Sequence, residues 1–275
     1  MPEQRTYPNG VTCWIAAEEP DPEAASRFYG ALFGWTFRNI VPPGAPVYLM
    51  AALDGSDVGA ITVTGASGFA RWVTFVATDD VDETAAEIEL AGGTVLAAPR
   101  DAGSDGRTAT VLDPLGAEFR LWQAKDHPGS QAVNSPGTWN FSDLQSTDPD
   151  TAKRFYSRVF GWHYLGFGPT VESMIAVSGY GDHLASTSDP QIYERQAGAP
   201  EGFADVIGAV DAAPAGQPDR WRVKFSVASR ADSIALAERL GGTVLATEDQ
   251  VWADLADIRD PQGAEFTISE FHEPR

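Results

Sequence analysis

Apolar and polar positions follow two periods along this chain, and the same succession of periods occurs twice. Val11-Thr12-Cys13-Trp14-Ile15-Ala16-Ala17 is a short apolar run with the composition of a strand. Asp21 then supplies an N-cap, Pro22 suits a first helical turn, and Ala25, Phe28, Tyr29 and Leu32 recur at helical spacing until Gly34 stops the helix. Segments 47–52 and 58–63, parted by Asp54-Gly55-Ser56-Asp57, predict a hairpin. A strand over 72–78 follows, then a helix over 81–91 ended by Gly92-Gly93, then short strands over 94–97, 108–112 and 117–122.

The second pass starts near Trp139 and keeps the same landmarks. Phe28-Tyr29 through Leu32-Phe33-Gly34-Trp35 returns as Phe155-Tyr156 through Val159-Phe160-Gly161-Trp162, and Asp21-Pro22 returns as Asp148-Pro149. The run 92–97 returns as 241–246, and Asp113-Pro114 through Phe119 returns as Asp260-Pro261 through Phe266. Landmarks repeated in one order define an internal repeat. The polar, turn-rich stretch 125–137 separates the copies, so we read domains over 1–124 and 138–275. The second copy departs most over 186–218, where four prolines and weak periodicity predict a long loop, serving as a lid or as surface decoration.

Composition narrows the partners. A formal charge of −20 over 275 residues opposes binding to nucleic acid or to anionic membrane. No apolar run is long enough to span a bilayer, and Met1-Pro2-Glu3-Gln4-Arg5 lacks the pattern of a signal peptide, so the expected location is cytoplasmic. The single cysteine, Cys13, excludes an internal disulfide, and its apolar strand marks it as a small buried hydrophobe.

These landmarks, with Trp72 through Asp82 and Asp113-Pro114-Leu115-Gly116-Ala117, resemble the vicinal oxygen chelate superfamily of glyoxalase I, bleomycin-resistance proteins and extradiol dioxygenases, over nearly the whole chain. The resemblance is closest to tandem actinobacterial-type members. It implies an α+β fold of two tandem glyoxalase-like domains, each of paired βαβββ modules whose curved mixed sheets enclose a cavity. It also implies a metal held by histidines and glutamates, at positions that here fall on Trp14, near Val73 and on Arg120 in the first copy, and on Phe141, near Arg222 and on Thr267 in the second. First-row metals need several imidazole or carboxylate donors together, so we expect no metal and no cofactor. All four histidines, His127, His163, His183 and His272, fall in predicted loops or strand ends.

Strand alternation then sorts the walls. In the first copy Trp14, Glu118, Arg120 and Trp122 share the face away from the helices; in the second, Phe141, Asp143, Arg222, Lys224, Glu265, Thr267 and Ser269 do. Trp14, Trp122 and Phe141 offer stacking faces, with Lys224 and Thr267 as polar ligand contacts. Glu118, Asp143 and Glu265 are candidate general acids or bases, and Arg120 and Arg222 candidate stabilisers of negative charge. Equally open for these residues is a structural use, as an ion pair or as packing. The expected function is metal-independent handling of an aromatic or natural-product-like metabolite, by a cofactor-free isomerase, cyclase or lyase or by a drug-sequestering protein of the bleomycin-resistance type. The expected assembly is a monomer whose two domains pair as a pseudo-dimer, or a homodimer.

Overall fold

The computed structural model describes residues 4–65, 68–167 and 173–272; Met1, Pro2 and Glu3 of the N-terminal stretch lie outside them. The first repeat runs β1 (Thr12–Glu19), α1 (Pro22–Phe33), β2 (Thr36–Asn39), β3 (Tyr48–Leu53), β4 (Ser56–Val63), β5 (Arg71–Ala77), α2 (Val81–Leu90), β6 (Thr94–Asp101), β7 (Gly106–Leu112) and β8 (Glu118–Ala124). The second runs β9 (Trp139–Ser146), α3 (Pro149–Phe160), β10 (His163–Leu165), β11 (Met174–Ala176), α4 (Tyr180–Ser186), α5 (Ile192–Arg195), β12 (Val206–Ala212), β13 (Arg220–Ser226), α6 (Arg230–Arg239), β14 (Thr243–Asp249), β15 (Ala253–Arg259) and β16 (Glu265–Phe271). Each repeat contributes one mixed sheet, ordered β2-β3-β4-β1-β5-β8-β7-β6 and β10-β11-β12-β9-β13-β16-β15-β14. The fold is α+β, with two tandem repeats of one plan.

The repeated helix has the same local cause in both copies. The Asp21 carboxylate accepts the N–H of Ala24 at 2.9 Å, and Asp148 accepts that of Thr151 at 3.1 Å. Gly34 and Gly161 end α1 and α3 with φ of 78° and 70°, a left-handed cap that glycine adopts without strain.

Side-chain packing gathers the chain into two compact units that interleave along the sequence. One comprises Met1–Cys13, Thr74–Gly129 and Ser142–Trp221; the other comprises Trp14–Val73, Ser130–Phe141 and Arg222–Arg275. In the first unit α2 (Val81, Ala85, Ile88) and α3 (Phe155, Tyr156, Phe160) share a core with Phe119 and Leu121. In the second, α1 (Phe28, Tyr29, Phe33) and Ala237 of α6 share a core with Phe225, Phe266 and Ile268.

Each core is pinned by the same polar triad. In the first unit the Tyr156 hydroxyl donates to Asp113 Oδ2 and accepts the Trp221 indole N–H, both at 3.1 Å. In the second the Tyr29 hydroxyl donates to Asp260 Oδ2 at 2.9 Å and accepts the Trp72 N–H at 3.0 Å. Burial, partly offset by backbone N–H donors from Ala117 and Leu115, raises Asp113 above the usual carboxylate range.

The tryptophan that closes the repeated motif works across the repeats. Trp162 donates to the carbonyl of Gly10, and Trp35 to that of Gly137, each at 2.7 Å. Gly137 has φ of +83°, and a Cβ there would lie 2.9 Å from the Phe33 carbonyl. Gly137→Ala is therefore expected to lower stability by about 2 kcal/mol in urea denaturation, through left-handed strain and this clash.

The structure departs from the sequence reading in three places. Stretch 186–218 is not a loop: it carries α5, a 3-10 turn at Phe203–Asp205 and the internal strand β12. Ile192, Ile207 and Val210 enter the core of their unit. Gly208 breaks up the apolar signal because the β9 backbone leaves no room for a side chain, with Ser142 O only 2.3 Å from where its Cβ would be. β2 went unpredicted because it is a short, mostly exposed strand. His183 lies inside α4 rather than in a loop.

Candidate functional site

Alternation along the strands separates a core face from a second face in each unit. In the first unit Phe119 and Leu121 of β8 and Val76 of β5 enter the core, leaving Glu118, Arg120, Trp122 and Phe75 on the opposite side. There the Arg120 guanidinium lies 5.4 Å from the Phe75 ring centre, and Trp122 meets Phe75 edge-on at 6.3 Å. The Trp122 indole donates to the His127 carbonyl at 2.9 Å, and the two rings sit 6.0 Å apart. The result is an aromatic wall with one embedded cation.

Polar groups dominate the corresponding face of the second unit. Val223, Phe225, Ala256, Ile258, Phe266 and Ile268 enter its core, so Arg222, Lys224, Asp257, Glu265 and Thr267 project from the other side of β13, β15 and β16. Arg222 Nη2 lies 2.8 Å from Asp257 Oδ1. That same oxygen accepts the Thr267 hydroxyl at 2.7 Å. Lys224 is the in-register partner of Thr267 on the adjacent parallel strand, and Asp257 is its partner on the antiparallel one. Arg222 is only 7% exposed although it carries a full charge. This face therefore carries two cations, Arg222 and Lys224, beside two carboxylates, Asp257 and Glu265.

The other expected residues have definite surroundings. Trp14 is buried on β1 and donates its indole N–H to the Tyr48 hydroxyl at 3.0 Å. Phe141 lies on β9 in the same compact unit and is half-buried. Asp143 is buried and accepts the N–H of Ala209 at 2.9 Å, which ties it to β12. Glu265 pairs with Arg259 at 2.8 Å. Glu118 opens β8, opposite Leu112 of β7. Thus the fold brings Arg222, Thr267 and Lys224 together, and Arg120 with Trp122, while Asp143 is engaged by backbone. Sequence reasoning missed Asp257, Phe75 and Tyr48. Alternation alone could have put Asp257 on its face, but its partners come from strand register.

Cys13 is buried, its thiol pointing to the Phe75 carbonyl at 3.6 Å, and burial pushes the thiol far above its ordinary range. That environment suits packing rather than nucleophilic chemistry.

Residues 14–122 and 141–269 each match the family model described as Glyoxalase-like domain, and the chain belongs to that family. It is similar to the candidate glyoxylase CFP32 of Mycobacterium tuberculosis, with 34% identity covering 98% of this chain and 97% of that one. It is also similar to the anthracycline biosynthesis protein DauV of a Streptomyces species, with 30% identity covering 96% and 94%. Among solved structures it superposes on the Mn(II)-bound glyoxalase from Novosphingobium aromaticivorans with a TM-score of 0.60 at 16% identity, covering 96% of this chain and 83% of that one. The 2,3-dioxygenase LapB from Pseudomonas sp. KL28 gives 0.60 at 14% identity, covering 97% and 95%. At such identities the structures share the fold alone.

The fold family implies a divalent metal, and the chemistry of the side chains here does not fit one. At or beside the six positions the family resemblance assigns to ligands stand Trp14, whose indole N–H is a donor; Phe141 and, near its position, Val73, which have no ligand atom; Arg120 and, near its position, Arg222, which are cations; and Thr267, whose hydroxyl is directed at Asp257. Among the described residues no three His, Cys, Asp or Glu side chains gather. No step is therefore routed through a metal.

Proposed function

We propose that this protein takes up a planar aromatic metabolite bearing a phenol or an enolisable ketone, without a metal, in secondary metabolism. The observation that carries the reading is the Arg222–Asp257–Thr267–Lys224 cluster: a nearly buried guanidinium fixed by a carboxylate, with a lysine in register on the neighbouring strand. Fixed cations of this kind stabilise an oxygen that gains negative charge, and do so more strongly away from bulk water. Within the same compact unit, Trp14 with Tyr48 offers rings suited to stacking on a flat ligand. The relative named for anthracycline biosynthesis supports the same chemical class, since anthracyclines are flat phenolic quinones.

In this reading Arg222 and Lys224 bind the ligand oxygen, and Thr267 and Asp257 hold Arg222 in place. Glu265, two residues from Thr267 on the same face of β16, moves the proton whose loss leaves an enolate on that oxygen. No redox partner is needed, so the reaction class is isomerisation, cyclisation or elimination. Prolonged incubation with a polycyclic β-ketone, followed by mass spectrometry, tests this. A product of unchanged or water-reduced mass that Glu265→Gln fails to form is expected. Recovery of unchanged compound from a tight complex would instead establish sequestration.

A further inference from the structure

The last residue of β1 is an acid with no role at the face just described. Glu19 is fully buried, and among the described residues neither of its carboxyl oxygens has a hydrogen-bond donor. The group that acts on it is another carboxyl, Asp260, in the turn before β16. Asp260 is already well supplied with donors. Its Oδ1 accepts the N–H groups of Gln262, Gly263 and Ala264 at 2.9, 2.8 and 2.9 Å, and its Oδ2 accepts the Tyr29 hydroxyl at 2.9 Å. Asp260 thus has four donors for its two oxygens. A second carboxylate beside it, buried and without a donor, would have nothing to offset its desolvation.

The second repeat shows what the strand end does when the acid is missing. Ser146 occupies the place of Glu19 at the end of β9, and it donates its hydroxyl to the buried carboxylate of Asp219 at 2.6 Å. In both repeats, then, the strand-end side chain meets a carboxylate, and in the second it does so as an O–H donor.

We propose that Glu19 is a neutral carboxylic acid in the folded protein at neutral pH, that it donates its proton to Asp260, and that this bond fastens the first repeat to the second. The join is reinforced next door, where Gln262 Oε1 accepts the Asp21 N–H at 2.7 Å and Gln262 Nε2 donates to the Asp21 carbonyl at 2.8 Å. Burial first, then the hydrogen bond and the charge of Asp260, push the Glu19 acid up to about 10 from an ordinary 4.5. Among the described residues the titratable groups acting with it are Asp260, from the β15–β16 turn, and Tyr29, from α1, which burial and then the charge of Asp260 hold protonated. Arg71 of β5 is engaged by the adjacent Glu18 at 2.9 Å.

A raised folded value means that folding takes up a proton. The bond's contribution is complete below about pH 4.5 and is lost progressively as pH rises towards about 10. Urea unfolding of the full chain is to be compared between wild type and Glu19→Gln from about pH 5 to pH 9. The glutamine amide keeps a donor for Asp260 but cannot ionise. The ratio of their unfolding constants, wild type over variant, is expected to rise about tenfold per pH unit. A ratio that stays flat overturns the proposal. Should Glu19→Gln not fold, the infrared spectrum of the wild type at about pH 8 decides. A protonated-carboxyl C=O band that disappears above about pH 10 supports the proposal, and absence of the band at pH 8 overturns it.

Discussion

Tyr156→Phe is expected to cost about 4 kcal/mol of unfolding free energy, because one hydroxyl serves two buried partners. Its loss leaves Asp113 Oδ2 without its side-chain donor and the Trp221 N–H without its acceptor. Each orphaned group costs roughly 1–3 kcal/mol when water cannot replace the bond. The ring itself remains, stacked on Trp162 at 4.8 Å, so packing is conserved and the effect reports the polar triad alone. Tyr29→Phe removes the same pair of bonds around Asp260 and Trp72 and is expected to behave alike. Urea denaturation with an unchanged m-value checks both. A loss below about 1 kcal/mol would show that the triad does not hold the core.

Arg222→Met is expected to weaken binding of a dihydroxyanthraquinone about 100-fold while leaving the fold intact. Methionine keeps most of the aliphatic stem, and Asp257 retains the Thr267 hydroxyl at 2.7 Å. A lost charge-assisted contact to an anionic oxygen is worth roughly 1.5–3 kcal/mol, and each 1.4 kcal/mol is tenfold. Quenching of tryptophan fluorescence measures the affinity, and near-ultraviolet circular dichroism checks the fold. Unchanged affinity would move the ligand away from the β13–β16 face.

Local signals carried much of this architecture. Asp21-Pro22 and Gly34 mark both ends of α1 because capping is decided within a few residues. The same holds for α3, and the repeat of these signals is why two α+β domains of βαβββ modules could be read without coordinates. What escaped depends on residues far apart in sequence. β12 hides behind prolines and Gly208, and only the approach of Ser142 explains that glycine. Helices α1 and α6 share one core and α2 and α3 the other, a grouping that no local pattern encodes.

The candidate site shows the same division. Alternation placed Arg222, Lys224 and Thr267 on one face, but Asp257 enters only through the register of β15 on β16. Likewise Glu19 reads as one more acid among many until the fold sets it against Asp260, more than two hundred positions later. Trp35 and Trp162 looked at first like a repeated aromatic feature. Their indoles instead latch each repeat to the glycine that precedes the other.

The central claim is that a flat phenolic ligand binds here without a metal, held by Arg222. Titrating the chelator-treated protein with a dihydroxyanthraquinone, before and after adding Mn(II), tests it most directly. Saturable binding of equal affinity is expected in both states. Binding that appears only once Mn(II) is added would contradict it.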